Sequence, residues 1–187
     1  RIREKAENIG TGLLTELGEY LETIPSSIDT INLIGHSLGG RLVVSSLINR
    51  AGELPLKINN VLLMAAAVEV GAKESEKMKQ IIRGSLFNAY SKKDLILPLN
   101  FGEKSVGKNT FELFDNVEMS GFGHTDYWPK LDDVLDKTFF KNKQELIVHA
   151  QNNNTDYSEE IFWEKLKNFA VKAGGEVVEK ALQLYYA

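Results

Sequence analysis

Apolar residues near the start of the chain recur at steps of three and four: Ile2, Ala6, Ile9, Leu13, Leu17, Tyr20 and Ile24. That spacing puts them along one side of an α-helix and predicts an amphipathic helix from about Arg3 to Glu22, ended by Pro25 and Ser26-Ser27. The pattern then changes. Thr30-Ile31-Asn32-Leu33-Ile34 is a short β-favouring run that stops at Gly35, and helical apolar spacing resumes from Arg41 to Asn49 through Leu42, Val43, Leu47 and Ile48. A strand, a sharp turn and a helix are expected there.

Ile58 to Val68 is almost continuously apolar, as in a parallel strand covered on both faces. Glu74 to Arg83 carries helix-forming residues and stops at Gly84; Ser85 to Tyr90 predicts a third strand leading into Ser91-Lys92-Lys93-Asp94. Pro98 to Thr110 reads as a loop and Phe111 to Met119 as containing a fourth strand. Ser120-Gly121-Phe122-Gly123 then forms a connection into His124, and helical spacing returns from Tyr127 to Phe139. After the polar break Gln151-Asn152-Asn153-Asn154-Thr155, Ser158 to Ala170 and Glu176 to Tyr186 predict two appended helices around Gly174-Gly175. The expectation is an α/β core over residues 1–150, mainly a parallel sheet with helices on both faces, and appended helices over 151–187. Ligands bind such sheets beyond the carboxyl ends of the strands.

Composition narrows the chemistry more than the fold. A length of 187 residues suffices for one domain with a real core. The net charge of −4, with mixed signs, offers no basic field for a phosphate backbone, and the Lys92-Lys93 pair is too short to supply one, so nucleic-acid binding is not expected. Absence of cysteine excludes disulfides, a thiolate nucleophile and Cys-based metal sites, but fixes no compartment. No run approaches the roughly 18 apolar residues of a membrane span. The chain begins at Arg1 rather than Met, and an upstream segment is expected.

The strand-turn-helix carries Gly35-His36-Ser37-Leu38-Gly39-Gly40. Gly-x-Ser-x-Gly in this context holds a serine on a strained turn, with Gly35, Gly39 and Gly40 letting the backbone pass closely. The backbone N–H of Leu38, at a helix N-terminus, is the expected oxyanion donor. A serine nucleophile needs a base, and the base needs an anionic partner. Of the three histidines, His36 lies beside the serine, His149 lies on an apolar helical stretch and reads as structural, and His124 follows the last strand in a Gly-rich loop. His124 is the expected base. Asp94 is the expected acid, since it follows a strand and completes the order Ser, Asp, His; Asp126 and Glu69 are weaker alternatives. Three scattered histidines give no metal cluster, and the chemistry needs no cofactor.

Gly35-His36-Ser37-Leu38-Gly39-Gly40 resembles the nucleophile elbow of α/β-hydrolase lipases and esterases. Asn88 to Leu97 and Gly123-His124-Thr125-Asp126-Tyr127-Trp128 resemble the acid and histidine segments of a branch that includes transmembrane and coiled-coil domain hydrolase-like proteins. The similarity spans about Thr30 to Lys130. It implies a serine hydrolase acting on a carboxylic ester, with a lipid ester preferred for the apolar Leu95, Ile96, Leu97, Leu99 and Phe101. Acyl transfer with the same residues, or a binding or scaffold role without turnover, are the alternatives. Members of that superfamily carry a second oxyanion donor on a loop after an earlier strand, and no such segment precedes Thr30. The chain therefore reads as the C-terminal portion of an α/β-hydrolase whose first strands are absent, with an upstream segment or partner chain completing the sheet. Loss of one oxyanion donor typically lowers turnover by about 10²–10³.

Overall fold

The computed structural model describes residues 2–23, 30–49, 57–99 and 102–138. By its contacts the chain divides into Arg1–Lys141 and Asn142–Ala187. Everything described lies in the first unit; His149 and the expected helices after Ser158 fall outside it, as do the side chains of Leu99 and Phe101.

Helix α1 (Ile2–Glu22) is followed by strand β1 (Thr30–His36), helix α2 (Leu38–Ile48), strand β2 (Lys57–Met64), helix α3 (Ala72–Ile81) and strand β3 (Leu86–Tyr90). Two short 3₁₀ turns, Leu97–Leu99 and Val106–Lys108, precede strand β4 (Asp115–Glu118) and helix α4 (Leu131–Lys137). The strands form one sheet in the order β1-β2-β3-β4, every pair parallel. Among the described residues β1 has a strand neighbour on one side only.

Right-handed crossovers between successive neighbours carry their helices to one face when the strand order does not reverse. Accordingly α1 packs on α2 and α2 on α3, as one layer. The packing of α1, α2 and α3 thus gives one helix layer of the α/β architecture. The alternation of β2 nevertheless shows that both of its faces are covered. Val61 and Leu63 join a core with Leu14, Val43, Val44, Leu47 and Met78, while Leu62 and Met64, pointing the other way, are equally buried.

Helix α1 meets α2 through a stripe that its apolar periodicity does not mark. Its buried positions are Gly10, Leu14 and Gly18, whereas Ile2 is exposed. A Cβ at Gly10 would lie 2.5 Å from the carbonyl oxygen of Leu42, so only glycine allows this approach. The hydroxyl of Ser45 closes the same contact by donating to the carbonyl of Glu7 at 2.8 Å.

Strand β2 ends earlier than the apolar run predicts, at Met64, because Ala65 adopts a positive φ of 42° and turns the backbone away. The apolar residues that follow line the end of the sheet. There the Val106–Lys108 turn lies across them: Val106 N–H donates to Val68 at 2.8 Å, Gly107 N–H to Ala66 at 3.0 Å, and Ser91 N–H to Gly107 at 3.0 Å. A Cβ on Gly107 would come within 2.2 Å of the Ala65 backbone, so this crossing requires glycine.

Candidate active site

Ser37 sits between the last residue of β1 and the first of α2, with φ 54° and ψ −119°. A non-glycine residue there is strained by about 1–3 kcal/mol and persists only when its surroundings over-determine it. Three backbone bonds do so. Ser37 N–H donates to Met64 at 3.0 Å, and its carbonyl accepts from Gly40 at 3.1 Å and from Ala67 at 2.9 Å. The Ala67 peptide is held in turn by the buried Arg41, whose Nε donates to the Ala67 carbonyl at 3.0 Å. The Arg41 guanidinium also pairs with Glu7 and Glu103, tying α1, α2 and the 103 segment to the turn.

Close packing explains two of the three glycines. A Cβ on Gly35 would lie 2.7 Å from the Gly39 carbonyl oxygen, and one on Gly40 would lie 2.5 Å from the Cβ of Ala66. Gly39 is different: a Cβ there meets nothing within 4 Å. The steric demand assigned to Gly39 from the motif therefore belongs to Gly35 and Gly40.

The structure brings Ser37, His124 and Asp94 together. His124 Nε2 is 2.9 Å from Ser37 Oγ, and His124 Nδ1 is 2.7 Å from Asp94 Oδ2. Asp94 is fully buried beyond β3, and its Oδ1 accepts from the backbone N–H groups of Ile96 at 2.9 Å and Leu97 at 3.0 Å. Burial by itself raises the carboxyl pKa, but the bonds from His124, Leu97 and Ile96 together outweigh it and hold Asp94 below the usual carboxylate range. An ionised carboxylate only accepts, so His124 Nδ1 donates to Asp94, which leaves Nε2 to face the Ser37 hydroxyl as its acceptor. The arrangement is a hydroxyl, an acceptor for its proton and an anion that fixes the acceptor's tautomer.

Leu38 is the first residue of α2, so its N–H has no acceptor within the helix and lies next to Ser37. The other acidic candidates are occupied elsewhere. Asp126 accepts from Gly123 N–H at 2.6 Å and pairs with Lys130 at 3.4 Å, while Glu69 accepts from Lys104 N–H at 3.2 Å.

Two further residues line the site that motif reasoning did not assign to it. His36 Nε2 is 2.8 Å from the carbonyl oxygen of His124. Tyr127 is fully buried with its ring 5.8 Å from that of His36, and among the described residues its hydroxyl has no hydrogen-bond partner. Burial, chiefly, and the carboxylates of Asp94 and Asp126 push its pKa up, so it stays protonated. Position next to Ser37 was the available sequence signal for His36; Tyr127, three residues after His124, had none. Among the described residues no group of three or more His, Asp or Glu could hold a metal ion, and no helix is long and apolar enough to cross a membrane.

The fold and site thus define an α/β protein with a parallel sheet and a hydrogen-bonded Ser-His-Asp set at the carboxyl ends of its strands. Residues 3–141 match the family described as "Protein of unknown function (DUF726)", and the chain belongs to that family. It is similar to an uncharacterized membrane protein of Schizosaccharomyces pombe, 33% identical over an alignment of 113 residues, with 52% of this chain and 19% of that protein covered. An uncharacterized membrane protein of Caenorhabditis elegans is 27% identical over an alignment of 146 residues, with 68% of this chain and 24% of that protein covered. The aligned stretches thus span about a fifth to a quarter of these relatives' lengths. No solved structure matches the chain significantly.

Proposed function

We propose that this chain carries the catalytic centre of an α/β-hydrolase-type serine esterase. The observation that supports it is the continuous hydrogen-bonded path from Ser37 Oγ through His124 to Asp94, on a serine whose backbone is strained. In the proposed reaction Ser37 Oγ attacks the acyl carbonyl carbon while His124 Nε2 takes the hydroxyl proton. The Leu38 N–H donates to the developing oxyanion. The C–O bond to the alcohol breaks, and the alcohol leaves with the proton from His124. Water then attacks the acyl-enzyme, gives its proton to His124 and releases the acid, restoring Ser37.

The preferred substrate is a lipid ester. Leu95 and Ile96, immediately after Asp94, are 78% and 53% exposed, and the buried Leu97 N–H and Ile96 N–H hold their backbone on Asp94, so these apolar side chains stand beside the acid without collapsing onto the core. Description of both relatives as membrane proteins supports the same reading. The test is hydrolysis of p-nitrophenyl esters of increasing acyl length by the full-length protein. Release that rises with chain length and disappears in Ser37→Ala is expected; release unaffected by Ser37→Ala, or none with any ester, overturns the reading.

A further inference from the structure

His36 takes no part in the proton path just described, yet its ring stands within 5.2 Å of the His124 ring and 6.2 Å of the Trp128 ring. Its Nε2 faces the carbonyl oxygen of His124 at 2.8 Å. A carbonyl only accepts, so Nε2 carries the proton and donates it. Burial, chiefly, keeps the ring below its ordinary pKa; the bond to the His124 carbonyl opposes this, and the neighbouring His124 ring adds to it. His36 is therefore a neutral donor with a fixed tautomer.

The backbone it grips needs holding. Gly121 has a φ of +85° and Gly123 follows two residues later, so the segment carrying His124 has large conformational freedom to lose. Three successive residues are pinned by side chains. Ser91 Oγ donates to the Phe122 carbonyl at 2.6 Å, Asp126 accepts from Gly123 N–H at 2.6 Å, and His36 donates to the His124 carbonyl. The third of these comes from the residue covalently joined to Ser37. We infer that His36 is a positioning residue that locks the backbone of His124 to the end of β1, so that the nucleophile and its base move as one rigid unit.

This inference rests on the proposed reaction for its kinetic consequence, but not for its structural one. A misplacement of about 1 Å at a reacting group costs on the order of 10² in rate. His36→Met keeps the bulk and removes the donor, whereas His36→Gln places an amide N–H at comparable reach. In the full chain, His36→Met is expected to label with a fluorophosphonate about 10–100-fold more slowly than wild type, with kcat on an ester reduced more than KM is raised. His36→Gln is expected to recover to within about fivefold, by restoring the donor. Ring ¹⁵N NMR should show the Nε2–H tautomer at His36, and the His124 Nδ1–H signal should be sharp in wild type and His36→Gln and broadened in His36→Met. Equal labelling and an equally sharp His124 signal in the Met and Gln variants overturn the positioning role, as does loss of both to the same extent. If wild type fails to label while the NMR differences appear, the positioning stands and the esterase reading falls.

Discussion

Replacing Gly40 with alanine would put a methyl carbon 2.5 Å from the Cβ of Ala66 and 3.1 Å from its Cα. Ordinary carbon contacts need about 3.5–4.0 Å, so helix α2 and the segment after β2 must part by more than roughly 1 Å. Little nearby can yield. The Ala66 carbonyl accepts from Gly107 N–H at 3.0 Å, and the next residue, Ala67, donates to the Ser37 carbonyl at 2.9 Å. Overpacking of this kind costs about 1–3 kcal/mol. At roughly 2–4 °C per kcal/mol for a chain of this size, Gly40→Ala should lower Tm by about 2–12 °C. It should also slow labelling of Ser37, because the strained turn is displaced with Ala67. Gly39→Ala is the internal control: with open space at its Cβ and a helical position, it should gain about 0.5–1 kcal/mol through the unfolded chain. Urea unfolding of the three proteins at constant m-value measures both effects. The packing argument is refuted if Gly40→Ala matches wild type, or if Gly39→Ala is destabilised as much as Gly40→Ala.

Ser37→Gly should be more stable than Ser37→Ala by about 1 kcal/mol, a reversal of the usual order, since both lose the hydroxyl and glycine alone relieves the positive φ; calorimetry checks it. Asp94→Asn should reduce the labelling rate of Ser37 by about 10⁴ while keeping the fold, because the amide favours the wrong histidine tautomer. Its stability deficit should also depend on pH. The folded carboxyl pKa is depressed, so the contribution of Asp94 is fully present above the ordinary value of about 3.9 and is lost as pH falls through the lower folded value. The wild-type and Asn unfolding curves should therefore converge only below about pH 4. Arg41→Ala removes the cation that Glu7 and Glu103 share, although Glu103 keeps Arg3, and leaves the Ala67 carbonyl without its buried donor; a loss of about 2–4 kcal/mol is expected in urea, reduced from a fully buried pair because Glu7 is half exposed.

The strand-turn-helix around Ser37 was legible because three local signals agree there: the β-favouring Thr30–Ile34, the glycines, and the apolar spacing beyond. The structure extends these elements to Thr30–His36 and Leu38–Ile48 without changing their kind. Asp94 and His124 were legible from their places after strands, and the sheet brings them to Ser37 because parallel strands align their carboxyl ends. What failed to show was any requirement set by a distant neighbour. The apolar run to Val68 reads as one strand, yet Ala65 turns because the residues after it must reach beneath Ser37 and Gly107. Gly10 and Gly107 are glycine for the sake of the Leu42 carbonyl and the Ala65 backbone, and nothing adjacent in the sequence marks them. His36 meets its partner 88 positions along the chain, at a backbone oxygen that no side-chain motif encodes.

The central claim is that Ser37 is a nucleophile activated by His124. Its most direct test is treatment of the full-length protein with a fluorophosphonate, followed by mass spectrometry of the peptide containing Gly35 to Gly40. The account predicts a single phosphonyl adduct on Ser37 that is absent in Ser37→Ala and strongly slowed in His124→Ala. An unmodified Ser37 peptide, in a reaction where a known serine hydrolase labels to completion, would contradict it.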